Sequence, residues 1–303
     1  MEKAHKFGTV VILGPPNAGK STLLNALLGQ KVAIVTAKPQ TTRNQISGIL
    51  TRDDAQVVFL DTPGVHRVGG PMNRLLLTSA WNAAAMAEVW VILLDADKYV
   101  RKPDLLDTEA DPLKTGAASY AGPLIVALNK VDLVGDKSRL LPLMEKASRI
   151  WPRAEVMPLS AAKGVAQAEF LARVLDFLPE GPPAYPEDQL STAPLRFMAA
   201  EVVREKLFMA LRQEVPYGVA VEIEQWQEEP GLTRIGALIH VAKEGHKAMV
   251  IGKGGSLLKE VGRQARLELK ELIGSKVHLE LWVKVRRDWP EDPAFLRSLG
   301  LGE

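Results

Sequence analysis

The sequence contains no cysteine among its 303 residues. Disulfide bonds, thiolate zinc sites and a cysteine nucleophile are therefore excluded. Long apolar runs are also missing, because the most apolar stretch, Ala83–Ala96, is interrupted by Glu88 and Asp95, well before the roughly 20 residues that a membrane-spanning helix needs. The run Val10–Leu13 near the N-terminus is too short for a signal peptide. These absences predict a soluble protein of a reducing compartment.

The residues that are present have an ordinary globular composition. Hydrophobic residues make up 47% and charged residues 24% of the chain, which excludes wholesale disorder and collagen-like repeats. The net charge of +2 is unevenly distributed: residues 231–289 hold 12 Lys and Arg against 6 Asp and Glu, whereas residues 180–230 hold 4 against 10. A basic block beside an acidic one favours a polyanion-binding face near the C-terminus. Ordinary fluctuation of charge along a chain is the alternative.

Short β-rich runs alternate with helical patterns in the first half of the chain. Because the runs are continuous rather than alternating, they indicate strands buried on both faces of a parallel sheet. Strands separated by helices predict a doubly wound α/β domain. The runs are Val10–Leu13, Val57–Leu60, Val89–Leu94, Leu124–Leu128 and Val156–Leu159, and the helices include Lys20–Leu28 and Met72–Met86.

A proline-rich segment ends this pattern. Four prolines fall within residues 179–186, where they cannot continue a helix and predict a stiff spacer. We therefore expect an α/β domain over residues 1–178, a linker over 179–193 and a second domain over 194–303. The second domain is predicted to have helices at Leu195–Leu211 and Ser256–Ile273, and strands at Val219–Trp226, Arg234–Ala242 and Val277–Val285.

Residues 14–21 fit the phosphate-loop pattern G-x-x-x-x-G-K-[ST] between a predicted strand and a predicted helix. Backbone N–H groups of such a loop and the helix N-terminus bind phosphate. Lys20 would meet the β- and γ-phosphates and Ser21 would ligate Mg²⁺. An ordinary Gly-Pro turn is the alternative, but it does not require the Lys-Ser pair. The predicted contacts are Gly14, Pro15, Pro16, Asn17, Ala18, Gly19, Lys20, Ser21 and Thr22.

The tetrapeptide Asn129–Asp132 follows a predicted strand, at the sheet edge where ligands bind in such folds. The Asp132 carboxylate can accept from the two donors on the Watson–Crick edge of guanine, whereas adenine presents an acceptor there. Asn129 can bridge to the phosphate loop, and the stem of Lys130 can lie over the base. A surface turn is the alternative for the tetrapeptide alone. We predict GTP and GDP as ligands, with Ser160, Ala161 and Ala162 as further contacts after the next strand.

Two further motifs, residues 61–64 and Lys38–Arg43, are predicted to contact a metal ion and the γ-phosphate. Asp61 can reach Mg²⁺ through water, and the Gly64 N–H can meet the γ-phosphate. Thr42, with Thr41 as the alternative, supplies a second hydroxyl for Mg²⁺ from the polar segment Lys38–Arg43. A strand-ending turn is the alternative for residues 61–64. The predicted catalytic residues are Lys20, Thr42 and Gly64, and the predicted metal site is Ser21, Thr42 and Asp61.

A second site is predicted around residues 252–255, Gly-Lys-Gly-Gly, which fit G-x-x-G, the loop by which KH domains clamp single-stranded nucleic acid. Alone this signal is weak, because helix-entry turns also contain glycine. On the following helix, however, a stripe of basic residues lies beside a stripe of apolar residues, about 100° further around the helix. With a short helix at His246–Val250, the element order is that of a type II KH domain, an α+β fold. The predicted RNA contacts are Gly252, Lys253, Gly254, Gly255, Lys259, Arg263, Arg266 and Lys270.

Five motifs resemble, in order, the guanine-nucleotide motifs of the translation-factor-related GTPases. They are residues 14–21, 40–43, 61–64, 129–132 and 160–161. Val65 stands where many of these GTPases have a water-orienting Gln, which resembles the subgroup with a hydrophobic residue there. In that subgroup an Asn at the position of Asn17 helps to bind K⁺. K⁺ stimulation is therefore a hypothesis for this chain.

The chain, which joins a GTPase half to a KH half, resembles the Era GTPases along nearly its whole length. The resemblance includes Arg196–Lys206, Val277–Val285 and Leu296–Gly300. The resemblance implies a P-loop NTPase G domain with a mostly parallel sheet, followed by a smaller type II KH domain. It implies binding to the 3′ end of small-subunit (16S) ribosomal RNA and a role in small ribosomal subunit assembly. It also implies cytoplasmic residence with peripheral association at the inner face of the cell membrane. We expect a monomer and no DNA partner.

Slow GTP hydrolysis is expected to switch RNA binding. Mg·GTP would order residues 37–45 and 65–70 and change how the KH domain sits, and hydrolysis would release the RNA. Three alternatives stay open: an RNA-binding scaffold with a purely structural nucleotide pocket, an RNA-dependent ATPase, against which Asn129 and Asp132 argue, and a GTPase that binds DNA, which charge does not exclude.

Overall fold

The computed structural model describes residues 5–36, 38, 41–66, 69–212 and 215–301. Residues 6–177 build a six-stranded sheet with helices on both faces, and residues 195–285 build a three-stranded sheet with helices. The elements of the first unit are β1 (Lys6–Leu13), α1 (Lys20–Leu28), β2 (Ile46–Arg52), β3 (Ala55–Asp61), α2 (Pro71–Ala85), β4 (Val89–Asp95), α3 (Ala96–Arg101), α4 (Asp104–Ala117), β5 (Leu124–Asn129), α5 (Leu140–Ile150), β6 (Glu155–Pro158) and α6 (Gln167–Phe177).

The first sheet has the strand order β2-β3-β1-β4-β5-β6 and is parallel except for β2, which pairs antiparallel with β3. Val11 and Leu13 of β1 enter one core and Val10 and Ile12 the other, which explains why the strands are continuous apolar runs. The expected mostly parallel, doubly wound sheet is confirmed. Because β3 lies on one side of β1 and β4 on the other, the order of the strands reverses at β1, and such a switch point leaves a crevice for a ligand at the carboxyl end of β1.

The second unit begins with α7 (Leu195–Ala210) and a 3₁₀ turn (Val215–Gly218). Its sheet has the order β7-β8-β9, with β7 antiparallel and β9 parallel to β8. Val261, Ala265 and Leu269 are buried against this sheet, as the apolar stripe predicts. The α+β KH arrangement is thereby confirmed. The remaining elements are β7 (Val219–Glu229), β8 (Leu232–Val241), α8 (Glu244–Ile251), α9 (Ser256–Ile273), β9 (Lys276–Val285) and α10 (Pro293–Ser298).

The proline-rich segment is not a free spacer, because it is hydrogen-bonded along the first sheet. The Phe7 N–H donates to the Pro179 carbonyl at 3.1 Å, and the Ile49 N–H donates to the Leu190 carbonyl at 2.8 Å. Near its end, the Thr192 hydroxyl lies 2.5 Å from that of Ser47. The domain limits 1–178, 179–193 and 194–303 stay a prediction, but the contacts show that residues 179–192 follow the first unit.

A small apolar cluster joins the two units. Met72 and Leu76 of α2 pack against Trp289, Phe295 and Leu296 of the C-terminal segment. The Asn44 amide donates to the carbonyls of Leu299 and Gly300, at 3.3 and 3.0 Å. The C-terminal segment therefore contacts the residues that flank the nucleotide crevice. Within the described residues, no helix combines the length and hydrophobicity that crossing a bilayer requires.

Candidate nucleotide and nucleic-acid sites

The phosphate loop turns into α1 at Gly19, which caps the helix with a φ of 96°. Lys20 is only 6% exposed, and its Nζ donates to the carbonyls of Gly14 and Pro15, each at 3.2 Å. Burial lowers the pKa of Lys20 to about 8, and the charge of Asp61 partly opposes that shift. A lysine held this way gains a better partner when a phosphate enters the loop.

The residues proposed for Mg²⁺ converge at the end of β3. Asp61 is fully buried, and its Oδ2 accepts from the Ser21 and Thr42 hydroxyls, at 2.5 and 3.3 Å. Its Oδ1 is buried without a hydrogen-bond partner, and burial raises the pKa of this carboxyl. An orphaned carboxylate oxygen beside two hydroxyls is a set of hard oxygen donors, so the residues fit Mg²⁺.

The structure distinguishes the two threonines that the sequence leaves open. The Thr42 hydroxyl lies 2.9 Å from that of Ser21. The Thr41 hydroxyl is turned away, with the Thr36 hydroxyl at 2.6 Å and the Lys38 carbonyl at 2.7 Å. Of the two threonine hydroxyls, that of Thr42 is the one beside Ser21 and Asp61. Gln40 of the same motif, with residues 37 and 39, lies outside the described residues.

The base-side motifs are tied to the phosphate loop by Asn129. Its amide donates to the Ala18 carbonyl at 2.8 Å, and its carbonyl oxygen accepts from the Ala161 N–H at 2.9 Å. The Ser160 hydroxyl donates to the Asp132 carboxylate at 2.5 Å, which orients the group that would meet guanine. Ala162 is exposed at the rim of this loop.

The segment after β3 closes over the phosphate loop. A Cβ added to Gly64 would lie 2.7 to 2.9 Å from atoms of Pro16, so only glycine permits this approach. Val65 is 1% exposed in the core, and its N–H donates to the Gly14 carbonyl at 3.0 Å. Its side chain therefore does not reach the phosphates. His66 places Nδ1 2.8 Å from the Gly64 carbonyl, and residues 67 and 68 lie outside the described part of the chain.

An open cavity lies above the N-terminus of α1, between the phosphate loop and the segment that contains Thr42. The predicted catalytic residues Lys20, Thr42 and Gly64 all line it, and so does Ser21. Asn129, Asp132 and Ser160 do not line the cavity. Asn129 connects them to it, because its amide is hydrogen-bonded to the phosphate loop at Ala18. The arrangement can hold a triphosphate over α1 with the base beyond Asn129.

The glycine loop between α8 and α9 has a backbone that favours glycine. Gly252, Gly254 and Gly255 have φ values of 74°, 59° and 76°, in the left-handed region where a side chain is strained. A Cβ on Gly252 would also lie 2.8 Å from that of Leu257. Lys253 and Gly254 are exposed at the tip of the loop. A phosphate can therefore approach the backbone there closely.

A groove beside this loop runs between α9 and β9. Lys259, Arg263 and Arg266 line its charged side, and Leu279 and Leu281 line its apolar side. Lys270 is exposed on α9 but lies beyond the groove lining. Glu260 pairs with Arg263, whose hydrogen bonds lower the pKa of this exposed carboxyl to about 2. The groove is therefore less positive than the basic stripe alone suggests.

Sequence reasoning missed several charged residues around the nucleotide crevice. Asp95 accepts from the Lys130 ammonium at 2.6 Å and thereby fixes the side chain predicted to cover the base. Glu205 of α7 is 1% exposed and accepts from the Val35 N–H at 2.9 Å. Although burial opposes it, hydrogen bonds from Lys206 and Lys31 hold the pKa of Glu205 below its usual value. Such long-range pairs leave no local pattern in the sequence.

Two family models match the chain. A 50S ribosome-binding GTPase model matches residues 9–130, and a KH domain model matches residues 214–290. GTPase Era of Nitratidesulfovibrio vulgaris strain DP4 is 56% identical over 302 residues, covering 99% of this chain and 98% of that protein. GTPase Era of Syntrophus aciditrophicus is 41% identical over 301 residues, covering 98% and 96%.

Two solved structures resemble the whole fold. An Aquifex aeolicus Era variant bound to GDP·AlF4⁻ superposes with a TM-score of 0.90 at 38% identity, covering 98% of this chain and 100% of that one. Era in complex with MgGDPNP and nucleotides 1506–1542 of 16S ribosomal RNA superposes with a TM-score of 0.91 at 38% identity, covering 99% and 100%.

Proposed function

The chain belongs to the Era family of GTPases, and from that membership we propose that it binds the 3′ end of small-subunit (16S) ribosomal RNA under control of its nucleotide state. It binds guanine nucleotides and hydrolyses GTP to GDP and phosphate. The observation that carries the proposal is the pairing of a phosphate loop with a glycine-loop groove in one chain. By binding this RNA, the protein assists assembly of the small ribosomal subunit.

The roles of the nucleotide-site residues follow from their positions. Lys20 neutralises the β- and γ-phosphates, the Gly64 N–H contacts the γ-phosphate, and Asp132 accepts from the base. Ser21 and Thr42 would hold Mg²⁺ directly and Asp61 through water, and the ion supplies positive charge to the phosphates when it is bound. Positioning and charge neutralisation are most of the catalysis in this chemistry, so hydrolysis by the protein alone is slow.

The RNA site follows the chemistry of the groove. Phosphates approach residues 252–255, where the backbone is open and Lys253 supplies charge. Bases lie against the apolar side at Leu279 and Leu281, while Lys259, Arg263 and Arg266 face the backbone. Lys270 extends the basic stripe beyond the groove. A single-stranded segment fits better than a duplex, because bases must be splayed out to reach an apolar wall.

The KH unit occupies residues 194–303, the G domain 1–178 and the linker 179–193. The protein acts as a monomer in the cytoplasm, with peripheral association at the inner face of the cell membrane and without a DNA partner. Thr41 and Thr42 line the nucleotide crevice, and residues 41–44 are hydrogen-bonded to the second unit. Through these contacts the nucleotide state acts on the position of the second unit, and the affinity for RNA therefore differs between the GTP and GDP forms.

Lys253→Glu is expected to lower the affinity for a 16S 3′-end oligonucleotide at least about tenfold at 0.1 M salt, because one phosphate contact becomes a repulsion. The salt dependence of binding should weaken by about one unit of slope. Intrinsic GTP turnover should be unchanged. Fluorescence anisotropy of a labelled oligonucleotide, measured with a GTP analogue and with GDP, tests this contact and the nucleotide switch together.

Lys284→Glu is the matched control, since Lys284 is exposed on the face of β9 that points away from α9. Equal loss of affinity in both variants would mean that charge alone, not the glycine loop, determines binding. Identical affinity of the wild-type protein with GTP analogue and GDP would remove the switch and leave both sites intact.

K⁺ is expected to raise GTP turnover above the rate in Na⁺. Asn17 is exposed on the phosphate loop with a φ of 63°, where it would help to bind the ion, and the buried Val65 cannot orient the attacking water as a Gln would. Phosphate release measured at equal ionic strength in KCl and NaCl tests this, with Asn17→Ala as the comparison. Equal rates in both salts would contradict a role for K⁺.

A further inference from the structure

A buried arginine links the metal-site threonine to the second unit. Arg43 follows Thr42 in the chain and is only 3% exposed. Its guanidinium donates to three backbone carbonyls of the second unit and lies near two aromatic rings. This arginine socket consists of the carbonyls of Val219 (2.7 Å), Tyr217 (3.0 Å) and Pro216 (3.5 Å) and the rings of Phe208 (5.4 Å) and Trp289 (5.6 Å).

Burying the Arg43 guanidinium is energetically unfavourable, which indicates that this side chain does more than fill space at the interface. Its Nε is buried without a partner, and within the described residues no carboxylate forms a salt bridge with it. Burying a guanidinium costs more than burying an apolar side chain of similar volume. An interface that needed only adhesion would be served by an apolar residue here.

The residue on the other side of Thr42 is also held by the second unit. Arg204 of α7 donates to the Thr41 carbonyl at 2.5 Å, and its guanidinium lies 5.2 Å from the ring of Phe208. The backbone of Thr42 is thus fixed from both sides by groups of the second unit. Its hydroxyl meets Ser21 at 2.9 Å and Asp61 at 3.3 Å.

We propose that Arg43, seated in the arginine socket, is a positioning residue that holds the Thr42 hydroxyl at the metal site, so that the KH unit completes the GTP-bound form of the G domain. The inference rests on the proposed role of Thr42 toward Mg²⁺. The expected effect is selective. When Arg43 is removed from the arginine socket, the protein loses affinity for a nucleotide whose binding uses Thr42 and keeps its affinity for a nucleotide whose binding does not.

Arg43→Gln is expected to lower the affinity for a non-hydrolysable GTP analogue about tenfold, since a charged donor to two or three carbonyls is lost. GDP affinity should stay within about twofold. The Mg²⁺ concentration for half-maximal binding of the analogue should rise, and Arg43→Lys should give an intermediate shift because its ammonium keeps the charge without the planar fork. Titration calorimetry of both nucleotides at several Mg²⁺ concentrations gives these values without measuring turnover.

The double variant Thr42→Ala/Arg43→Gln separates positioning from adhesion. If Arg43 acts through Thr42, the double variant binds the analogue no more weakly than Thr42→Ala alone, because the hydroxyl to be positioned is already gone. Additive losses would overturn the inference, and so would equal losses for analogue and GDP in Arg43→Gln. Asn44→Ala is the matched control, since it removes a neighbouring tie to the C-terminal segment, and it should leave the Mg²⁺ dependence unchanged.

The premise is tested separately by Thr42→Ala. No shift in its Mg²⁺ dependence would refute the metal role of Thr42, whereas a shift there without one in Arg43→Gln would refute only the positioning role. Thermal unfolding with GDP bound reports whether each variant folds. Should Arg43→Gln fail to fold, Phe208→Leu tests the socket from the other side, where the same selective loss is expected and its absence contradicts the inference.

Discussion

Asp132→Asn is expected to lower the affinity for GTP at least about a hundredfold, because two charge-assisted hydrogen bonds to the base are replaced by an amide that matches guanine at one position and opposes it at the other. Xanthine carries a carbonyl where guanine carries the amino group, so the Asn amide can donate to it. The variant should therefore bind xanthosine triphosphate more tightly than GTP. Competition of both nucleotides against a labelled GDP analogue measures the change.

The effect should be local to the base, because the Ser160 hydroxyl that now donates to Asp132 at 2.5 Å can donate equally to the Asn carbonyl oxygen. Asp136→Asn is the matched control: Asp136 is exposed in the same loop and bonds to Ser138. Preserved GTP affinity in Asp132→Asn, or tight ATP binding by the wild-type protein, would contradict the assignment of this loop to guanine.

Lys20→Met is expected to reduce GTP turnover about 10² to 10³-fold, the usual cost of removing one preorganised charge from a transition state. RNA binding in the absence of nucleotide should persist, because the groove at α9 shares no residue with the phosphate loop. Phosphate release and oligonucleotide anisotropy on the same preparation check both results. Undiminished turnover would favour a scaffold whose nucleotide pocket is only structural.

Stability distinguishes this loss from misfolding. The folded-state pKa of Lys20, about 8, lies below the ordinary lysine value of 10.5. The buried charge therefore destabilises the empty protein below pH 8, and this penalty disappears as the pH rises toward 10.5. At pH 7 nucleotide-free Lys20→Met should therefore unfold at the same or a higher temperature than wild type, while GTP adds less stability to it. Lys146→Met removes a lysine that is paired with Asp107 and does not line the nucleotide cavity, so it should change neither the unfolding temperature nor the stabilisation by GTP.

The parallel strands could be predicted from the sequence because burial on both faces leaves a continuous apolar run, as at Val89–Leu94. Strand β2 was not among those runs: Ile46–Arg52 alternates small, polar and apolar residues and becomes a strand by pairing with β3 at the sheet edge. The C-terminal helix α10 was missed for a related reason. Its six residues carry little periodicity, and its position depends on Met72 and Leu76, more than 200 residues earlier.

The candidate site divides in the same way. Residues such as Lys20, Ser21 and Asn129 stand in contiguous motifs, so their chemistry could be predicted before any fold was known. Arg204 and Glu205 could not, because a charge on a helix is usually solvated and only the packing of α7 against residues 31–44 shows that these two are buried. The choice between Thr41 and Thr42 also needed the structure, since it depends on which hydroxyl the backbone turns toward Asp61.

The fastened proline-rich segment has a mechanical consequence. Since hydrogen bonds follow the chain along the first sheet as far as Thr192 and α7 begins at Leu195, the covalent pivot between the two halves is confined to the bonds around Ala193 and Pro194. A joint this short permits rotation but hardly any separation. The RNA groove can therefore rotate about that point, but it stays close to the first unit when the contacts between the two units break.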